Sequence, residues 1–252
     1  MANNLFKKSY QHKSLKKIPF DNLWNTKGCF TTVRVKGSPP KFIFLKEHLI
    51  NLNKSLKKLN IDFAINSKNF KILVKDEFKK NVKYNHLLRI AVNSKKISID
   101  LRKRLKTNRF FKGILINYKR PQATTKNLRY KKILQFLKFI NTNSSEIILF
   151  DKNSILEGCT TNIICVKNKK LYIPKKNYYF GITLKFITKY TKRKIIKTNI
   201  SLGKLQSFDE ILLVGSGKGV VALNNIPQIK WINKTQINYK ELQELYKSYI
   251  ER

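Results

Sequence analysis

Glu157-Gly-Cys-Thr-Thr-Asn162 leads into Ile163-Ile-Cys-Val-Lys-Asn168 and then Leu171-Tyr-Ile-Pro174. Upstream stands another β-rich run, Ile147-Ile-Leu-Phe150. A lone acid between two strand-like runs sits where a sheet edge holds it rigid and partly buried. A carboxylate in that setting needs a partner. Read alone, Glu157 is an ordinary turn acid; its spacing to what surrounds it changes the reading.

The chain has 252 residues, enough for one large domain or two small ones around real cores. Its hydrophobic fraction of 42% is that of a globular protein and argues against wholesale disorder. No apolar run approaches a membrane span, and the N-terminus carries no stretch suited to a signal peptide. Cys29, Cys159 and Cys165 have no metal-ligand spacing and leave an odd thiol in any pairing scheme. A reducing cytoplasm and no metal are therefore expected. The formal charge is +40, from 54 Lys and Arg against 14 Asp and Glu. Such an excess suits nucleic-acid binding through counterion release. Here, however, the lysines are scattered through every segment beside many Ile and Asn, as a codon bias toward A and T would leave them. Nucleic acid is thus not an expected partner, although the charge still steers small anions inward.

Working outward along the chain, residues 1–18 are basic and read as a loose lead-in. Lys27-Gly-Cys-Phe-Thr-Thr-Val-Arg-Val35 alternates like a strand, and the Ser38-Pro-Pro40 turn joins it to Phe42–Leu45. Leu49, Leu52, Leu56 and Leu59 recur at helical spacing from Glu47 onward. A second helix is expected over Phe70–Val82, then strands over Leu87–Val92 and Gly113–Tyr118 that close a small α/β unit. Lys119-Arg-Pro-Gln-Ala-Thr-Thr125 breaks the pattern. Beyond it come a helix over Leu128–Ile140, a strand over Glu146–Phe150, a helix over Ile182–Tyr190, a buried strand Glu210–Val214, and a closing helix over Tyr239–Ile250. The expected domains are 1–120 and 121–252.

The run Glu-Gly-x-x-x-Asn-Ile, a β-run with Tyr-x-Pro, and Phe180-Gly-Ile-Thr183 opening a helix together resemble the signature of the class IV aminotransferases. These are the fold-type IV pyridoxal 5'-phosphate (PLP) enzymes, whose members include branched-chain and D-amino acid aminotransferases and 4-amino-4-deoxychorismate lyase. The resemblance implies an α/β (α+β) chain with a small α/β domain and a larger β-barrel-like domain. It also implies a homodimer acting on a small anionic substrate. Within the family the Glu pairs with the pyridine nitrogen of PLP, the role it assigns to Glu157, and so keeps the ring an electron sink.

A PLP enzyme also needs a lysine that holds the cofactor covalently and then shuttles protons. By family position that lysine is Lys126, in Thr125-Lys126-Asn-Leu-Arg-Tyr130, 31 residues before Glu157. Arg129 stands where the family has Asn. Lys119, Lys131 and Lys132 are rivals, and Tyr130 is either a cofactor contact or a core tyrosine. Gly181-Ile182-Thr183 has the layout of a helix start whose free N–H groups bind phosphate. Ser216, in Gly215-Ser-Gly-Lys-Gly219, matches a hydroxyl on the other side of the family's phosphate cup. That turn equally suits a plain hairpin, and it is not a P-loop, since the Lys-Ser/Thr ending is missing. Asn51 stands where the family has an arginine on the phosphate, and an amide gives no charged bidentate clamp.

Phe30-Thr31-Thr32 resembles the lyase branch, where aminotransferases usually carry Phe-Glu-Thr or Phe-Glu-Gly. The resemblance implies elimination of pyruvate from 4-amino-4-deoxychorismate to leave 4-aminobenzoate, with Lys126 and Thr32 catalytic. An amino acid aminotransferase and a catalytically decayed binding protein of the same fold are the alternatives.

Overall fold

The computed structural model describes residues 4–251, which divide into two compact units. One comprises residues up to Leu105 together with Thr125–Lys131; the other comprises Lys106–Thr124 and Lys132 onward. The chain therefore passes between them three times.

The first unit holds β1 (Asn4–Gln11), β2 (Lys17–Ile18), β3 (Gly28–Gly37), β4 (Lys41–Ile43), α1 (Leu45–Lys58), α2 (Ser67–Leu73), β5 (Tyr84–Asn93) and β6 (Lys96–Lys103). Its sheet is antiparallel throughout, in the order β2-β1-β6-β5-β3-β4. The leucine spacing does form a helix: Leu49, Leu52 and Leu56 of α1 pack on Val33 and Val35 of β3 and on Ile90 and Ile99. The expected lead-in is different. Residues 1–3 lie outside the described residues, but from Asn4 the chain is β1, registered on β6. Phe6 and Tyr10 turn to the core, and the Tyr10 hydroxyl donates to Leu73 O at 3.1 Å. Lys8, between them on the same face, hides this period-2 pattern. The second helix is also shorter than expected. An Asn66/Asn69 capping box starts it, and it is over by Leu73, with turns and a left-handed Asp76 following.

The second unit holds β7 (Phe110–Asn117), α3 (Lys131–Lys138, its first residue in the other unit), β8 (Ser145–Asp151), β9 (Ser154–Gly158), β10 (Asn162–Lys167), β11 (Lys170–Pro174), α4 (Ile182–Tyr190), β12 (Ile195–Thr198), β13 (Glu210–Gly215), β14 (Gly219–Ile226), β15 (Trp231–Ile232) and α5 (Ile237–Glu251). The sheet order is β12-β11-β10-β13-β14-β7-β8-β9, with β15 on β14. Although β9 ends that order, it lies against β10 and β11, so the sheet curls toward a barrel. β7 does not close the first unit: it runs parallel to both β8 and β14 here. A parallel neighbour comes with a crossover, and the segment containing α3 supplies it. That helix starts at Lys131 and not at Leu128, because residues 126–128 pair with β3 instead. Phe111, Ile148, Ile163, Leu213, Leu223 and Trp231 centre the core. The three cysteines are buried and form no disulfide among the described residues, and burial pushes the Cys29 thiol up to about 12. No helix among the described residues is long and apolar enough to cross a membrane.

Candidate active site

In the first unit, the early half of β3 has a second edge that β4 does not reach. Residues 126–128 fill it: Phe30 N donates to Lys126 O and Leu128 N to Gly28 O, each at 2.8 Å, with Cys29 facing Asn127. Gly28 is hemmed in on both sides: a Cβ there would fall 2.3 Å from Val92 O of β5 and 2.7 Å from Leu128 Cδ1. This register sets Lys126 opposite Phe30, so both side chains share one face. Lys126 Nζ stands 4.9 Å from the centroid of the Phe30 ring. Tyr130 is buried against Phe30 (5.3 Å) and stacked on Trp24 (5.5 Å). Lys126 is half-buried, whereas its rivals Lys119, Lys131 and Lys132 are exposed, and Lys119 is paired with Asp151.

Strand alternation separates the two threonines. Thr32, half-buried, lies on the face of Phe30. Thr31 points the other way, toward α1, where its Oγ1 and His48 Nδ1 are 2.6 Å apart in a fully buried pair. Burial, and then the positive charge of Lys126, push His48 down to about 3, so its ring is a neutral imidazole. Asn51, one turn on along α1, is buried as well.

In the second unit, Glu157 on β9 is buried and paired with buried Arg120, whose Nε donates to Oε1 at 2.7 Å. Arg120 also donates to Ala123 O at 3.0 Å, and Tyr179 N donates to Glu157 Oε2 at 3.2 Å. The sequence calls for a partner to Glu157 but does not point to Arg120, which lies in the stretch 119–125 that breaks the periodic pattern. The available signal was an arginine in a chain where lysine is the common cation, since guanidinium is the better partner for a buried carboxylate.

The Glu-Gly-x-x-x-Asn spacing now has a physical meaning. Asn162 Nδ2 donates to Tyr179 O at 2.5 Å and its Oδ1 accepts from Gly181 N at 3.0 Å. Glu157 and Asn162 thus hold one segment, Tyr179–Gly181, at the entry to α4. Glycine is required at both bends: a Cβ on Gly158 would meet Thr161 Oγ1 at 2.2 Å, and one on Gly181 would meet Asn162 Oδ1 at 2.7 Å. Gly181 caps α4 with no side-chain bond, leaving its first N–H groups available. Ile182 and Thr183 are buried there, and Thr183 Oγ1 has no hydrogen-bond partner among the described residues. Asn162 is registered against Val214, so the Ser216 turn leaves the sheet at the end where α4 begins. An orphaned buried hydroxyl at an uncapped helix start, with a serine turn at the same sheet end, fits a phosphate. A carboxylate offers two lone pairs on each oxygen, so Glu157 can accept a ring N–H in addition to these donors. PLP therefore fits the residues present.

A curled sheet carrying an arginine-paired glutamate and a phosphate-type helix start, in a chain whose other unit carries a half-buried lysine, defines a PLP enzyme of fold type IV. The chain belongs to the class IV aminotransferases, which match it over residues 28–226. These are PLP enzymes, and PLP is the cofactor. Solved structures agree on the fold. The branched-chain aminotransferase of Thermoproteus uzoniensis, solved with norvaline, is 15% identical with a TM-score of 0.78, covering 96% of this chain and 94% of its own. A Legionella pneumophila protein assigned as a 4-amino-4-deoxychorismate lyase is 19% identical with a TM-score of 0.74, covering 88% and 90%. The T.th. branched-chain amino acid aminotransferase, solved with pyridoxamine 5'-phosphate, is 15% identical with a TM-score of 0.78, covering 99% and 94%. No curated protein sequence matches the chain.

Proposed function

We propose that this class IV enzyme is a lyase that converts 4-amino-4-deoxychorismate to 4-aminobenzoate and pyruvate. The observation that carries the reading is the division of labour on β3. The Thr32 hydroxyl is half-buried on the face shared by Phe30 and Lys126, while Thr31, at the position usually Glu in aminotransferases, is tied to His48 on the other face.

Bound PLP supplies a covalent handle for the substrate amine and a sink for electrons. Glu157, oriented by Arg120 and Tyr179 N–H, accepts the ring N–H and so keeps that sink protonated. The helix start at Gly181–Thr183 and Ser216 take the phosphate. The Lys126 amine removes the proton from the amine-bearing ring carbon. The C–O bond to the enolpyruvyl group then breaks with its electrons on oxygen, and Thr32 assists protonation of that oxygen. Enolpyruvate leaves and becomes pyruvate, and aromatisation drives the step.

Elimination requires no acceptor oxo-acid, whereas transamination does. Aminodeoxychorismate supplied alone to the PLP-loaded chain is expected to release pyruvate continuously. Thr32→Val should slow this about 10- to 100-fold, a modest share of what a positioned proton donor contributes. Lys126→Ala should abolish turnover and the borohydride-reducible cofactor adduct, while Lys119→Ala and Lys131→Ala keep both. No pyruvate, with steady exchange between an amino acid and 2-oxoglutarate, would move the assignment to an aminotransferase. Silence in both assays with no adduct would leave a decayed binding protein.

A further inference from the structure

Glu146 opens β8 with its side chain wholly buried, and no role assigned above uses it. Its Oε2 accepts from Thr160 Oγ1 at 2.6 Å, from Thr161 Oγ1 at 3.2 Å and from Lys218 Nζ at 2.8 Å. Lys218 Nζ also donates to Thr160 Oγ1 at 3.2 Å and lies 4.8 Å from the centre of the Phe111 ring. Its side chain is only 9% exposed. A lysine at the tip of a strand-to-strand turn would ordinarily extend into water, because desolvating an ammonium is costly. This one folds inward.

The pair ties three segments together. They are the start of β8, the bend Cys159–Thr161 that separates Glu157 from Asn162, and the turn Gly215–Gly219 that carries Ser216. Contact is tight, since a Cβ on Gly215 would lie 3.3 Å from Thr160 O. Asn162 holds one side of the phosphate end through Gly181, and Lys218 holds the other. Because Glu146 neutralises Lys218, the pair acts on the turn's geometry and adds no net charge of its own. We infer that Lys218 and Glu146 are positioning residues that fix the Ser216 turn and thereby confer preference for the phosphorylated cofactor. The inference rests on the phosphate-end reading given above.

The test compares PLP with pyridoxal, which lacks only the phosphate, binding to the full chain stripped of cofactor and followed by tryptophan fluorescence. The double variant Glu146→Gln/Lys218→Met removes both charges together, so neither charge is left buried without its counter-charge. It should weaken PLP binding about 10- to 100-fold and pyridoxal binding by less than about threefold, the scale of a lost charge-assisted bond. Lys218→Arg should keep most of the preference. Equal losses for both ligands, or no loss for either, would overturn the inference. If the double variant does not fold, Glu146→Asp carries the comparison: a lower PLP-to-pyridoxal affinity ratio supports the pair and an unchanged one overturns it. A parent chain that binds the two ligands equally removes the phosphate end and this inference together. A parent that prefers PLP, with variants that prefer it as strongly, removes only the inference.

Discussion

Thr31 and Thr32 are adjacent and chemically alike, yet strand alternation sends one to His48 and leaves the other on the face of Phe30 and Lys126. The buried imidazole has a consequence for pH. His48 is pushed from 6.5 down to about 3 in the folded chain, by burial first and Lys126 second. As pH falls from about 6.5, the unfolded chain takes up a proton at this position and the folded one does not, so acid favours unfolding. This contribution to stability is present above pH 6.5 and is lost progressively down to about 3. The urea midpoint of the parent should therefore fall more steeply over that window than that of His48→Gln. Parallel slopes would mean that the ring titrates normally and is not held neutral.

Among the elements, α4 and α5 begin differently. The start of α4 is open, with Thr183 Oγ1 unsatisfied among the described residues. The start of α5 is closed by a carboxylate from a strand: Glu210, fully buried on β13, accepts from Thr235 Oγ1, Asn238 N, Asn238 Nδ2 and Tyr239 N at 2.7–2.9 Å. A negative group there satisfies orphan donors and interacts favourably with the helix dipole. Glu210→Gln sets an amide N–H against backbone N–H groups. It should cost about 1–3 kcal/mol, with faster hydrogen exchange over the first turn of α5. Unchanged stability and exchange would show that water can replace the carboxylate.

At the scale of the whole molecule, the net charge of +40 attracts anions from a distance. Raising salt from about 0.01 M to about 1 M shortens the screening length from about 30 Å to about 3 Å. The stopped-flow association rate of PLP should then drop about tenfold or more, within the range that electrostatic steering commands. Its dissociation rate, governed by close contacts, should change little, and pyridoxal should respond less than PLP. An association rate indifferent to salt would make the lysine excess compositional alone.

Local pattern was enough for several parts of this protein. Leucines at helical spacing specified α1, Gly181-Ile-Thr183 marked the start of α4, and the Glu157 to Asn162 motif identified the family, because these features repeat within a few residues of one another. β1 was hidden because Lys8, paired with Glu77, stands between Phe6 and Tyr10 on the same face and breaks the apolar alternation there. Other features depend on partners distant in the chain. Tertiary structure alone put β7 beside β8 and β14, carried Thr125–Lys131 back to the edge of β3, turned Thr31 to His48, and matched Glu157 with Arg120. A sequence period reports which face an element buries; which strand, helix or charge waits on that face is settled only when the sheet closes and each buried polar group must find its partner.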